Sequence, residues 1–141
     1  MYNETGQYDL AIIDLNKAIE LNSSFAEAYN NRAISFTNLQ DYENAVRDLN
    51  KAIKLVPNYL EAYNNRGNMK AYHKDFQGSI NDFNKVIELS PKNAMAYMNR
   101  GTSKFNINKV KDACEDWNTA AKLGFPQANE MIQKYCTSRQ K

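Results

Sequence analysis

The chain has 141 residues, 43% of them hydrophobic and 24% charged, which is the composition of an ordinary folded domain. Eighteen lysines and arginines against sixteen aspartates and glutamates give a formal net charge of +2. The sequence has no apolar run near the ~18 residues that span a membrane and no basic stripe suited to nucleic acid. We therefore expect neither a membrane nor a nucleic-acid partner.

The sequence repeats with a period of 34 residues. The hexapeptide DLNKAI occupies 14–19 and 48–53, and the related DFNKVI and DWNTAA follow at 82–87 and 116–121. A second hexapeptide, EAYNNR, occupies 27–32 and 61–66 and returns as MAYMNR at 95–100. A fixed period of this size is typical of a solenoid, in which each unit buries its apolar face against its neighbours.

Each unit has the apolar spacing of two helices. Ala45, Leu49 and Ala52 share one face of a helix, and the first half of the unit has the same character. The polar pair Gln40–Asp41 separates the halves, and Pro57 follows the second half, where a residue that cannot continue a helix is expected. The unit is therefore predicted to be helix, tight turn, helix.

In chain order, the period divides the sequence into five segments. The first unit would begin before Met1, so it keeps only the tail of its first helix, at 2–5, and the sequence is expected to be part of a longer chain. The predicted segments are a partial repeat at 1–25 (mainly its second helix), full repeats at 26–59, 60–93 and 94–127, and a C-terminal capping helix and tail at 128–141.

These units resemble tetratricopeptide repeats. That family's pattern combines large aromatic residues and small residues at fixed positions of two helices with a terminal proline. In the second full unit the corresponding residues are Tyr63, Gly67, Ser79, Phe83 and Pro91. The resemblance implies an all-α, right-handed superhelical solenoid of stacked helix-turn-helix repeats that acts as a protein–protein interaction scaffold.

Catalytic and metal-binding patterns are absent from the sequence. It has one histidine, His73, and it has no glycine-rich phosphate loop, paired metal-ligand spacing or nucleophile elbow. We expect no enzymatic activity, metal or cofactor in this chain.

An arginine stands where the family pattern has leucine, and an aspartate follows it sixteen residues later. A charge among packed helices must be paired, so we expect a ladder of partly buried ion pairs between the helices of adjacent units. Direct ligand contact by the arginines is the alternative. The residues concerned are Arg32, Arg66 and Arg100 with Asp14, Asp48, Asp82 and Asp116.

In this family the first helix of each unit lines the concave surface. Asn31, Asn65 and Asn99 recur there, one per unit, and a carboxamide can pair with peptide N–H and C=O groups whatever the side chains are. This ladder resembles the asparagine-lined grooves of O-linked N-acetylglucosamine transferases, which bind extended peptides. Alternatively, each asparagine bonds to a neighbouring helix and only fixes the superhelical pitch. The expected groove residues are Glu27, Asn30, Asn31, Ile34, Glu61, Asn64, Asn65, Asn68, Tyr72, Met95, Met98, Asn99 and Thr102.

One known activity of the family is not expected. Some of its co-chaperones grip the C-terminal carboxylate of heat-shock chaperones with lysine, arginine and asparagine. Asn31 fits the central asparagine, but the positions of the later cations hold Glu61 and Asn65, or Met95 and Asn99 one unit on. A clamp without its cations cannot neutralise a carboxylate, so we expect no strong binding to acidic C-termini.

Two other functions remain open beside a peptide-binding scaffold: a self-association or spacer module, and the targeting arm of an enzyme whose catalytic domain lies outside this chain. Ala11, Leu15 and Ala18 lack the helix that would cover them. We therefore expect the chain either to form a homodimer through residues 1–21 or to leave that helix poorly ordered.

The two cysteines bear on the cellular compartment. The capping helix is expected to pack across the last repeat's second helix, which could bring Cys114 and Cys136 together as a disulfide. A disulfide would imply an oxidising compartment such as a periplasm, whereas a buried pair of free thiols would fit the cytoplasm.

Overall fold

The computed structural model describes residues 4–136, with side chains from Gly6 onward, and this part of the chain contains helices and turns but no strand. The predicted all-α class is confirmed. The described helices are α1 (Glu4–Leu21), α2 (Ala26–Asn38), α3 (Tyr42–Leu55), α4 (Leu60–Tyr72), α5 (Phe76–Leu89), α6 (Ala94–Asn106), α7 (Val110–Lys122) and α8 (Gln127–Tyr135).

The helix boundaries follow the sequence period. The helices α2, α4 and α6 begin at residues 26, 60 and 94, and their partners α3, α5 and α7 begin at 42, 76 and 110. Each pair is therefore displaced by 34 residues from the next, and the predicted helix-turn-helix repeat is confirmed. Residues 1–3 and 137–141, which include the start of the partial repeat and the end of the predicted tail, lie outside the described part.

The turn inside each repeat has the same backbone each time. One residue adopts a left-handed conformation, with φ between 62° and 67°, and this residue is Gln40, Lys74 or Asn108. Asp41 and Asp75 follow the first two of these residues, and their carboxylates accept hydrogen bonds from backbone N–H groups in the first turns of α3 and α5. An aspartate at this position satisfies an otherwise unpaired donor and so fixes where the second helix begins.

The partial repeat differs from the prediction. A turn was expected after the short helical tail at 2–5, but α1 runs without a break from Glu4 to Leu21. The two positions that correspond to the turn hold Gly6 and Gln7, and Gln7 lacks the short carboxylate with which Asp41 ends the turn. The helix continues through this position, although Lys109, which also lacks a capping side chain, follows a turn in the last repeat.

The apolar surface of α1 also differs from the prediction. Ala11, Leu15 and Ala18, expected to be uncovered, are half-buried. The exposed apolar residues of α1 are instead Leu10, Ile13 and Leu21, and 61% of Ile13 is accessible. The helix α1 is in contact with α2. The half-buried residues of the predicted stripe lie on one side of α1, and the exposed Leu10 and Ile13 lie on the other.

The chain contains two compact units, with the boundary between Met69 and Lys70 in the last turn of α4. The core of the first unit surrounds Leu49, which is fully buried among small side chains and one tyrosine of α2. Its buried members are Tyr29, Ala33, Ala45, Leu49, Ala52, Ala62 and Met69.

The core of the second unit surrounds Trp117. The indole ring contacts Phe105 and Tyr135 at centroid distances of 5.7 and 6.0 Å. Tyr135 and Ala128 belong to α8, whose apolar face packs on α7 and closes this core. The polar face of α8 is exposed, which is what a capping helix requires.

The two cores combine large and small residues differently at one equivalent position. Ala33 packs in the core with Leu49. Two repeats further along the chain, the equivalent residue is Gly101, which lies against Trp117. A Cβ atom at Gly101 would lie 2.9 Å from both Cδ1 and Nε1 of Trp117, closer than packed atoms tolerate. The larger ring therefore requires glycine at this position.

This contact predicts a coupled effect of two substitutions on stability. Gly101→Ala should destabilise the second unit by about 1–3 kcal/mol through overpacking, although alanine is the better helix former by about 1 kcal/mol. In a Trp117→Leu background, which copies the Ala33 and Leu49 pair, the same change should be neutral or stabilising. Urea denaturation of the four proteins of this cycle provides the measurement. Stabilisation by Gly101→Ala in the presence of Trp117 would contradict the packing account.

Candidate functional site

Arg32 in α2 joins three helices of the first unit. Its Nε and Nη2 atoms donate to the two carboxylate oxygens of Asp48 in α3, at 2.8 and 2.7 Å. Its Nη1 atom donates to the side-chain oxygen of Asn16 in α1 at 2.8 Å. The guanidinium is therefore bound bidentately within its own repeat and singly to the preceding helix.

The same pattern occurs in the second unit. Arg100 donates to both oxygens of Asp116 at 2.8 and 2.7 Å, and its Nη1 donates to Asn84 at 2.9 Å. In the first unit, Nη1 of Arg66 donates to Asn50 at 2.9 Å.

Two details of the predicted ladder are wrong. Arg32 and Arg100 pair with an aspartate of their own repeat rather than of an adjacent one, and the preceding helix contributes an asparagine. That asparagine stands two residues after the aspartate in every copy of the DLNKAI motif, a signal that the sequence analysis missed.

Asp14 also departs from the expectation. It is exposed, and within residues 4–136 it has no ion pair. In the observed pairs an arginine binds the aspartate sixteen residues later, and no described arginine precedes Asp14 by that interval.

Burial makes these pairs structurally important. Asp48 and Asp116 are only 3% and 4% exposed. The hydrogen bonds to these aspartates raise the pKa of Arg32 and Arg100 above that of a free arginine, outweighing the desolvation that lowers it. Each guanidinium also lies over the ring of the tyrosine three residues before it, at 5.5 Å for Arg32 and 5.3 Å for Arg100.

In the second unit a lysine lies beside each aspartate. Lys104 Nζ lies 3.0 Å from Asp116, and Lys70 Nζ lies 3.4 Å from Asp82. The equivalent residue of the first full repeat is Phe36, whose ring lies 5.8 Å from the Arg32 guanidinium. Asp48 therefore depends on one arginine, while Asp116 has two cations.

The predicted groove residues of the first unit divide into a buried layer and an exposed layer. Asn30 is only 1% exposed, so it cannot contact a ligand as expected. Its side-chain oxygen accepts a hydrogen bond from Nδ2 of Asn65 at 3.0 Å, which joins α2 to α4. Asn30 also forms a side-chain hydrogen bond with the Tyr59 hydroxyl. Asn64, another predicted groove residue, is half-buried.

The exposed layer consists of Glu27, Asn31, Ile34, Glu61 and Asn68. Among residues 4–136, the carboxylates of Glu27 and Glu61 and the amide of Asn31 have no side-chain hydrogen bond or ion pair. Burial raises the pKa of Tyr59, and the charges of Glu61 and Glu27 raise it further, while the bond from Asn30 lowers it. Both carboxylates therefore lie within electrostatic reach of one hydroxyl group.

The predicted residues of the second unit are more apolar. Met95 is 51% exposed, and Met98 and Asn99 are half-buried. The hydroxyl of Thr102 donates to the backbone oxygen of Met98 at 3.0 Å. Tyr72 is exposed and packs edge-on against His73.

Cys114 and Cys136 form a disulfide that connects α7 to the end of α8, with a Cα–Cα distance of 5.8 Å. A cavity of about 470 Å³ opens beside it. Its lining residues are Val110, Lys111, Cys114, Glu115, Asn118, Tyr135 and Cys136.

The described part of the chain has neither a metal-binding cluster nor a membrane-spanning helix. Within residues 4–136, no three histidine, cysteine, aspartate or glutamate side chains are grouped closely enough to bind a metal ion. No helix in the same range has the length and apolar character needed to cross a membrane.

Family models match most of the chain. A model described as TPR repeat matches residues 1–40, and two described as Tetratricopeptide repeat match 26–59 and 60–93. The chain belongs to the tetratricopeptide repeat family, and the resemblance noted in the sequence is confirmed. Comparison with curated proteins gave no match.

Solved structures of low sequence identity share the fold. A crystal structure of MamA has a TM-score of 0.81 and 18% identity, covering 91% of this chain and 80% of that chain. MamA from Desulfovibrio magneticus RS-1 has a TM-score of 0.82 and 21% identity, covering 96% and 81%. The first TPR of Spaghetti (RPAP3), bound to the HSP90 peptide SRMEEVD, has a TM-score of 0.76 and 20% identity, covering 82% and 94%.

The difference between Asp48 and Asp116 predicts unequal effects of removing their arginines. Arg32→Met leaves a buried carboxylate without a cation and should cost about 3–5 kcal/mol of unfolding free energy. Arg100→Met should cost clearly less, because Lys104 remains beside Asp116. Urea denaturation followed by circular dichroism compares the two variants.

The control for this comparison is Arg32→Met/Asp48→Leu, which removes both charges and should recover much of the lost stability. Equal losses for the two arginine variants, or a larger loss for Arg100→Met, would refute this account of the ion pairs.

Proposed function

We propose that this chain is a protein–protein interaction scaffold that binds an extended peptide segment of a partner protein on the exposed face of α2 and α4 in the first unit and on that of α6 in the second. The observation that carries the proposal is Asn31, an exposed amide with no protein partner within residues 4–136. Asn65 and Asn99 occupy the equivalent positions of α4 and α6. A carboxamide can donate to a peptide carbonyl and accept from a peptide N–H at the same time.

Asn65 supports a divided role. Its Nδ2 group is used in the hydrogen bond to Asn30, so it contributes to helix spacing, as the alternative hypothesis for the ladder proposed. Its side-chain oxygen remains available to accept from a peptide N–H group. Peptide contact and helix spacing are therefore compatible functions of the same side chain in the first unit.

The comparison structures agree with this class of function. The RPAP3 domain, which shares the fold, is bound to a peptide of HSP90. The proposal assigns no catalytic step to this chain, and it names no nucleic acid, membrane or cofactor among the partners.

The disulfide bears on where this binding would take place. A bond between Cys114 and Cys136 favours an oxidising compartment, such as a periplasm or another extracytoplasmic space, because thiols are kept reduced in the cytosol.

The binding proposal predicts a loss of affinity when the amides are removed. Each hydrogen bond contributes about 0.5–1.5 kcal/mol, so Asn31→Ala/Asn65→Ala/Asn99→Ala should weaken binding to peptides on an array by roughly tenfold or more. The control is Asn81→Ala/Asn118→Ala, which removes exposed amides from α5 and α7. Unchanged binding by a triple variant that stays folded would exclude the amides from the mechanism.

A second candidate function, self-association, is favoured by the exposed apolar residues of α1. Leu10 and Ile13 occupy positions where α3 has Asn44 and Arg47, so their exposure is particular to α1. An exposed apolar surface of this kind favours contact with another apolar surface, here a second copy of the chain.

Sedimentation velocity tests self-association. The wild-type protein should contain dimers at high concentration, and Ile13→Asp should shift it to monomer without loss of helix content, since a charge opposes apolar contact. Asn81→Asp, at the equivalent position of α5, is the matched control and should change nothing. A wild-type protein that remains monomeric at high concentration would rule this function out.

A further inference from the structure

One side of α2 and α4 in the first unit has two negative charges and no positive one. This side is called here the α2/α4 face, and its residues are Glu27, Asn31, Ile34, Glu61 and Asn65. The cation of α2, Arg32, is directed to Asp48 and Asn16, and Nη1 of Arg66 in α4 is directed to Asn50. Cations of these helices are thus used in helix packing, and the uncompensated charge of the face is negative.

We infer that the α2/α4 face selects a basic peptide segment and binds one lysine or arginine side chain of that segment between Glu27 and Glu61. This inference rests on the proposed peptide-binding function and specifies the chemistry of the partner. It commits to a cationic segment of another protein as the occupant, on the basis of charge complementarity.

The carboxylates of Glu27 and Glu61 both interact electrostatically with the Tyr59 hydroxyl. Glu27 and Glu61 are at equivalent positions of neighbouring helices, and the hydrogen bond between Asn65 and Asn30 joins those helices directly. The negative charges of both carboxylates act on the Tyr59 hydroxyl, which lies at the Asn30 end of this bond. Two like charges that face one region repel each other, and a cation between them converts that repulsion into two attractions.

Other side chains of the α2/α4 face can contact the methylene stem and the backbone of a bound lysine or arginine. Ile34 is 42% exposed and presents an apolar surface against which the methylene stem of a lysine or arginine can lie. Asn31 is four residues after Glu27, and Asn65 is four residues after Glu61, so each helix offers one carboxylate and one amide on the same side. The carboxylates would bind the side chain while the amides bind the peptide backbone.

The second unit lacks this charge. The position equivalent to Glu27 and Glu61 holds Met95 in α6, so charge selection belongs to the first unit alone. The preference is also opposite in sign to the acidic peptide that is bound by the RPAP3 domain of similar fold.

The test uses three nine-residue peptides of alanine and serine with blocked ends, identical except for a central lysine, glutamine or glutamate. Each is titrated into the full chain, and the backbone amide signals of Asn31, Tyr59 and Asn65 are followed by NMR, which detects millimolar affinities. At low salt the lysine peptide should bind roughly five- to tenfold more tightly than the glutamine peptide, and the ratio should shrink at high salt.

Two variants assign the effect. Glu27→Gln/Glu61→Gln should reduce the ratio to about one while the glutamine peptide still binds. Glu43→Gln/Glu130→Gln makes the same change in net charge at exposed glutamates of α3 and α8 and should leave the ratio unchanged. If the ratio falls equally in both variants, the preference for lysine comes from the net charge of the protein and not from Glu27 and Glu61, and the inference is overturned.

The remaining outcomes separate this inference from the proposed function. Equal binding of the three peptides, or tighter binding of the glutamate peptide, with shifts at Asn31 and Asn65, would overturn basic selectivity and leave peptide binding in place. If no peptide shifts these signals at millimolar concentration, the peptide-binding function fails in the first unit, and the inference fails with it.

Discussion

A guanidinium group among packed helices needs partners for its charge and its donors, and the described structure is arranged around that need. In Arg32 and Arg100, two donors bind an aspartate of the same repeat and a third binds an asparagine of the preceding helix. Because the guanidinium is planar and rigid, these bonds fix the register of the two helices of a repeat and also orient the preceding helix. The aspartate and the asparagine of the DLNKAI motif therefore serve two different arginines.

This arrangement has a consequence for the opposite side of the same helices. The arginine of α2 is used within the fold, whereas Glu27 and Asn31 on the same helix are exposed and have no side-chain bond within residues 4–136. Glu61 repeats this in α4. The packing thus sets the charge of the exposed face. The arginines of these helices bind partners within the fold, whereas the carboxylates are exposed to solvent. A chain of small positive net charge can in this way present a locally negative face.

The sequence predicts much of the fold because the period and the helical apolar pattern constrain the same residues. It places the start of α2 at residue 26, as the structure has it. The recurring arginine and aspartate predict ion pairs, but the sequence does not say whether Arg32 pairs with Asp48 of its own repeat or with Asp14 of the preceding one, because that depends on the helix crossing. The burial of Asn30 was missed because Asn30 and Asn31 were assigned to the same face, whereas adjacent positions on a helix differ by about 100° and the edge of the buried side lies between them. The continuous helix α1 was missed because the period gives the first unit the same helix-turn-helix pattern as the others.

The central claim is that Arg32 and Arg100 are immobilised by bonds to two helices at once. Side-chain NMR of ¹⁵N-arginine tests it directly. Arg47 is the internal reference, because its contacts with Glu43 and Asn44 are exposed and lie within its own helix. The account predicts separate, slowly exchanging Nη–H signals and a protected Nε–H for Arg32 and Arg100, and averaged signals for Arg47. Averaged signals for all three arginines would contradict it.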